Sequence, residues 1–290
     1  MTGAGDVAGW IRGKALLQRR VGAGTARRLA GAGDVPEAVR LLSTTPYGYA
    51  VTPGMDLAAA QRAVSATLLW HLRILAGWQT PLRSSPIRSL AAGFEVANTV
   101  DLLLSLEGAD RPAPFELGSL STAWRALRPA RSPDQVRAVL GHSRWGDPGS
   151  ADPAAVRLAM TVEWAYRVWD EVPAAGSWAR EAAKLLAAHL EASGVRAGVS
   201  PATRHRLQQL IGREPDTLGA DRLEEAWLRW WHQVAERARA MTAGGRPGPE
   251  ATAGVVGLLA VDAWRVRAAL ALSAAPEGRD GWEDLLGAVA

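Results

Sequence analysis

Cysteine is absent from the 290 residues. That excludes disulfides, thiolate-ligated zinc, iron–sulfur clusters and a cysteine nucleophile. Strand-forming residues are thin, with four Ile, two Phe and three Tyr, so the composition gives little support to a sheet. Lysine occurs only at Lys14 and Lys184, and asparagine only at Asn98. Arginine carries nearly all the positive charge in a pattern that resembles GC-biased coding, and such richness alone is no argument for nucleic acid. Long apolar runs are also missing. The most apolar charge-free stretch, Ala251 to Val261, has 11 residues, against ~20 for a spanning helix. The opening residues lack the basic-then-apolar pattern of a signal peptide. The expectation is a cytoplasmic protein, peripheral to a membrane at most.

What remains is a globular composition, 48% apolar and 21% charged, with a net charge of +4. Residues 1–40 hold Arg12, Lys14, Arg19, Arg20, Arg27, Arg28 and Arg40 against Asp6, Asp34 and Glu37, so 7 − 3 = +4 and the other 250 residues sum to zero. Such a basic segment suits either a solvated helix face or phosphate tracking. Alanine, leucine and arginine dominate, which are helix formers. Helix starts are marked by a capping residue followed by proline at Ser85-Pro86, Ser132-Pro133, Asp152-Pro153 and Ser200-Pro201. Asp34 to Glu37 has capping-box spacing. Gly108, Gly141, Gly194 and Gly212 are expected C-caps. The pattern predicts helices over 6–30, 35–44, 56–77, 86–107, 119–128, 133–140, 153–172, 178–193, 201–211, 217–242, 251–273 and 281–288. The fold class is all-α, a single helical unit over 1–290 with approximate lobes 1–110, 111–215 and 216–290.

Motifs for catalysis do not assemble. The Gly-Ala-Gly stretches near Gly3, Gly22 and Gly31 follow no strand, so they are not dinucleotide loops. No Walker A sequence occurs. Gly141 to Gly146 misses the nucleophile-elbow spacing by one residue and reads as a loop after a helix. His232 and Glu236 sit one helical turn apart, with Glu225 two turns back, but HExxH is absent. No Asp-rich cluster supports an isoprenoid-type enzyme. Neither a catalytic residue, nor a metal, nor a cofactor is expected. One weak self-match exists: Glu95-x-x-Asn98 before Leu102-Leu103 resembles Asp262-x-x-Arg265 before Ala269-Leu270.

Three segments, in order, resemble the C/d family of central-stalk socket proteins in V-type and A-type rotary ATPases. Arg40 to Gly48, RLLSTTPYG, is similar to the family's "leu-leu-x-x-thr-x-tyr-gly" helix end, with Tyr47 and Gly48 on the motif. Glu95 to Leu103 is similar to its "acid-x-x-asn" helix, and Pro114 to Leu120, with Gly118, to the turn that follows. Asp262 to Leu270 resembles its C-terminal helix, with Arg267 on the motif and Arg265 where Asn could sit. The middle of the chain lacks a clear copy, unless Ala202 to Ile211 is its remnant. The resemblance implies a funnel of three similar helical lobes, a non-catalytic socket between the central stalk and the proteolipid ring, and therefore the stalk and ring proteins as partners. Arg12, Arg19 and Arg20, spaced to share one helix face, are the expected partner interface. A stand-alone helical adaptor, an isoprenoid-type helical enzyme and a nucleic-acid binder are the rival readings.

Overall fold

The computed structural model describes residues 4–194, 198–211, 220–245 and 247–275. Among them there is no strand; the elements are α-helices and two short 3₁₀ turns. The expected helix over 281–288 and the expected cap Gly212 lie outside the described residues. The chain divides into two compact units, Met1–Ser84 with Trp231–Ala290, and Ser85–Trp230. These boundaries do not coincide with the expected lobe boundaries near 110 and 215.

The first unit contains α1 (Ala4–Leu17), α2 (Gly22–Ala30), α3 (Val35–Ser43), a 3₁₀ turn (Pro46–Tyr49) and α4 (Leu57–Gly77). The last helix among the described residues packs among them. The single helix expected over 6–30 is therefore two. Residues 18–21 form a turn, with Arg19 N donating to Leu16 O at 3.0 Å, and α2 starts afresh at Gly22 in the left-handed region, φ 70°. Asp34 caps α3 by accepting from Glu37 N at 2.8 Å, and Asp56 caps α4 by accepting from Ala59 N at 2.8 Å. The core joins Leu29, Val39, Leu42 and Val64 to Val266 and Leu270 of the C-terminal helix, all fully buried.

The second unit contains most of α5 (Pro81–Ala91), then α6 (Gly93–Leu106), a 3₁₀ turn (Gly118–Leu120), α7 (Trp124–Leu127), α8 (Pro133–Gly141), α9 (Pro153–Glu171), α10 (Pro173–Ala192) and α11 (Pro201–Ile211). The first part of α12 (Ala220–Ala243) belongs here and its end to the first unit, together with α13 (Pro249–Ala274). Helices α9 and α10 form an antiparallel pair, α6 lies on α9, and α7 and α8 lie on α6.

Ser132 and Asp152 cap α8 and α9 ahead of prolines, and Ser200 Oγ accepts from Thr203 N in the first turn of α11. The start expected at Ser85-Pro86 is different. Pro86 falls inside α5, whose first residue is Pro81. Likewise α10 begins at Pro173, five residues ahead of the expected 178. Gly108 and Gly194 have the positive φ of left-handed caps, whereas Gly141 does not. The stretch Ser84–Leu106 is apolar and long enough to cross a bilayer by composition alone, although Arg88, Glu95 and Asp101 interrupt it. More than half of it is buried, and its interior side carries the polar Glu95, Asn98 and Thr99.

Candidate functional site

Among the described residues two carboxylates are buried, one in each unit and each on a helix. Asp262 projects from α13 and is 2% exposed. Its Oδ2 accepts from Val21 N at 3.2 Å and from Tyr47 Oη at 3.1 Å, and its Oδ1 accepts from Gly22 N at 3.0 Å. Helix α2 has no cap from its own Val21, so a residue distant in sequence satisfies its free amides and places a negative charge at its positive end. Arg265, one turn along α13 and buried, brings its Nη1 to 3.8 Å from Asp262 Oδ1. Burial pushes the Arg265 pKa below its ordinary value, with Asp262 opposing that shift. Tyr47 is pushed well above the usual phenol range, first by burial and then by the Asp262 charge.

Glu95 on α6 is fully buried in the second unit. Its Oε2 accepts from Thr122 N at 2.5 Å, and its Oε1 from Ala123 N at 2.5 Å and from Trp145 Nε1 at 2.9 Å. Again two consecutive amides lie at the start of a helix, α7, that lacks a side-chain cap of its own, here the two residues just before it. The third donor again comes from an aromatic residue just past the following helix. Arg167 of α9 completes this anchor. Its guanidinium lies 3.9 Å from the centroid of the Trp145 ring, and its Nη1 donates to Thr122 Oγ1 at 3.3 Å.

The correspondence continues into the turns. Thr45 Oγ1 donates to Leu42 O at 2.7 Å and accepts from Tyr47 N at 3.2 Å. Ser143 Oγ donates to Leu140 O at 2.8 Å and accepts from Trp145 N at 3.1 Å. Both aromatics stand thirteen residues after their helix cap, Asp34 to Tyr47 and Ser132 to Trp145, and both precede a glycine, Gly48 and Gly146. The segment that falls short of a nucleophile elbow is thus the counterpart of RLLSTTPYG. The signal is present in the sequence: VLGHSRWG aligns with LLSTTPYG at the same distance from a capped proline helix.

Asn98, one turn beyond Glu95, clamps an extended residue. Its Nδ2 donates to Phe115 O at 2.9 Å and its Oδ1 accepts from Phe115 N at 2.7 Å. One helix therefore fixes both ends of the segment 115–123, within which Gly118 turns the chain at φ 56°. The weak self-match is correct for the acids but not for the second positions, since Asn98 binds backbone and Arg265 faces its own Asp262. Arg267 does not join the anchor; its side chain is exposed and its carbonyl accepts from Gln61 Nε2 at 3.3 Å. Arg12, Arg19 and Arg20 are all exposed. Arg12 lies over Trp78 at 5.4 Å, but Arg19 and Arg20 follow the end of α1, so the three do not share a helix face.

The surface of the second unit carries an open depression of about 960 Å³ along residues 111–131 and a smaller one of about 310 Å³ beside Trp164 and Trp227. His232 Nε2 stands 3.3 Å from Glu236 Oε1, Glu225 pairs with Arg229, and among the described residues no three His, Asp or Glu side chains group to hold a metal. Both buried acids have their acceptors directed at internal donors and present no surface to a substrate; each is an anchor between helices. No protein-family model matches the chain, and no curated protein matches it in sequence.

Proposed function

We propose that the chain is a non-catalytic rotor component, a socket between the central stalk and the proteolipid ring of a V-type or A-type rotary ATPase, peripheral to the cytoplasmic face of the membrane. The observation that carries this reading is the repeated anchor of acid, paired amides and aromatic. Tyr47, Glu95, Asn98 and Asp262, on which the family resemblance rests, are the residues that make the anchors, and Gly48 forms the turn beside one of them. A spacer that transmits torque requires stiff helical bodies, and a buried carboxylate tying one helix to the start of another supplies stiffness without a reactive group. Arg12, Arg19 and Arg20 remain the proposed contact with ring proteins or anionic headgroups, now from two adjacent exposed segments. A basic group near an anionic leaflet contributes roughly 1 kcal/mol.

Affinity purification of the tagged chain from the membranes of its own host tests this. Stalk and proteolipid proteins are expected in the eluate by mass spectrometry. The triple variant R12Q/R19Q/R20Q is expected to lose them with its melting temperature unchanged. An intact chain that recovers no rotary-ATPase component overturns the reading.

A further inference from the structure

The depression along residues 111–131 is strongly charged. Arg111, Arg125, Arg128 and Arg131 line it against the single acid Glu116. All four arginines are exposed, and none makes an ion pair among the described residues. Arg111 lies over the ring of Trp124 at 6.0 Å, which props one guanidinium above an aromatic wall. This local excess of positive charge does not show in the net charge of the chain, because acids elsewhere cancel it.

The charge of the lining calls for an anionic ligand. Pro112, Pro114 and Pro129 in the lining have no N–H and so cannot donate a main-chain hydrogen bond to an anion. Recognition falls to guanidinium forks, whose geometry matches the oxygen pairs of carboxylates and phosphates alike. The depression is open, and its four arginines against one acid complement an acidic segment in charge. The wall is also held in place: Asn98 pins Phe115 and Glu95 pins Thr122 and Ala123, so little ordering remains to be done on binding.

From this we infer that the 111–131 depression is a docking surface for an acidic, carboxylate-rich segment of a partner protein. The inference stands independently of the rotary-ATPase reading, since it rests on the charge and form of one unit.

The purified full-length chain is titrated into a fluorescein-labelled glutamate-rich peptide, and into the same peptide with glutamine for glutamate, with anisotropy as the readout. The expected result is salt-sensitive binding of the glutamate peptide and at least about tenfold weaker binding of the glutamine peptide. The variant R111Q/R125Q/R128Q/R131Q is expected to lose at least about tenfold in affinity with an unchanged circular-dichroism melt, while R12Q/R19Q/R20Q binds within about twofold of the parent. Should the quadruple variant fold poorly, R111Q/R131Q and R125Q/R128Q each carry the same comparison. Absence of glutamate-peptide binding, or equal binding by the folded arginine variants, overturns the proposal. So does tighter, arginine-dependent binding of single-stranded DNA, inorganic phosphate or phosphatidylglycerol vesicles, which reassigns the surface to that ligand.

Discussion

The Tyr47 hydroxyl donates to Asp262 Oδ2 at 3.1 Å across 215 residues of chain, within a buried cluster. This bond closes the first unit: it joins the turn after α3 to α13, at the point where Asp262 also holds the amides that begin α2. A neutral donor to a buried carboxylate contributes about 1.5–3 kcal/mol, whereas removing the carboxylate strands every donor around it. Tyr47→Phe is therefore expected to lower the unfolding free energy by about 2 kcal/mol and Asp262→Ala by about 3–5 kcal/mol. In the double variant the losses are expected to fall short of additive in urea denaturation. Strict additivity means that the hydroxyl and carboxylate are not coupled.

Gly48 separates backbone geometry from packing. A Cβ there would sit 1.9 Å from Ser43 O, a main-chain atom fixed by the preceding helix. Gly48→Ala is expected to destabilise by more than about 2 kcal/mol, because the turn that aims Tyr47 must open. Gly24 lies within α2 with nothing within 4 Å of its would-be Cβ. Gly24→Ala is expected to stabilise by up to about 1 kcal/mol through helix propensity and unfolded-state entropy. Thermal melts of the two variants check the opposite signs.

His71 on α4 is buried, and burial, aided by the Arg19 charge, depresses its pKa to about 4 from 6.5. Between these values the unfolded chain binds a proton that the folded chain does not, so stability falls as pH drops through that window. The full contribution is about 3 kcal/mol, present above pH 6.5 and lost toward pH 4. Urea midpoints measured across this range are expected to show a flatter pH dependence for His71→Gln than for the parent. Parallel curves would assign the acid sensitivity to other groups.

Tyr47 gives the complementary prediction at alkaline pH. Its pKa is raised in the folded state, so the unfolded chain loses the phenolic proton first and stability declines above pH 10. Of the three tyrosines, Tyr49 is 72% exposed. In absorbance titration at the tyrosinate band, one tyrosine is expected to ionise only together with unfolding, and Tyr47→Phe removes that step. Ionisation of all three before any loss of helical signal would contradict the buried bond.

Several helix starts were legible because their cause is local. The caps at Ser132, Asp152 and Ser200 ahead of prolines satisfy amides two or three residues away, and α8, α9 and α11 start where that chemistry places them. The helix expected over 6–30 failed because its helical pattern runs on through residues 18–21. The interruption there is stabilised by Asp262, 240 residues later, accepting from Gly22 N, an acceptor that no window of sequence around Gly22 contains. The repeat was half legible for the same kind of reason. In the first unit the acid Asp262 follows its aromatic Tyr47; in the second, Glu95 precedes Trp145. The order is permuted, so a linear comparison matched the acids and missed the turns that complete them.

The sequence by itself determined an all-α chain, because helix propensity, capping and proline placement act over a single turn. Only the tertiary structure decided which carboxylates became anchors, which amides they hold and where four arginines come to line one depression. The anchors depend on burial and through-space charge set by residues that the chain order keeps far apart, and the depression on how the 111–131 segment is folded back and pinned by Glu95 and Asn98.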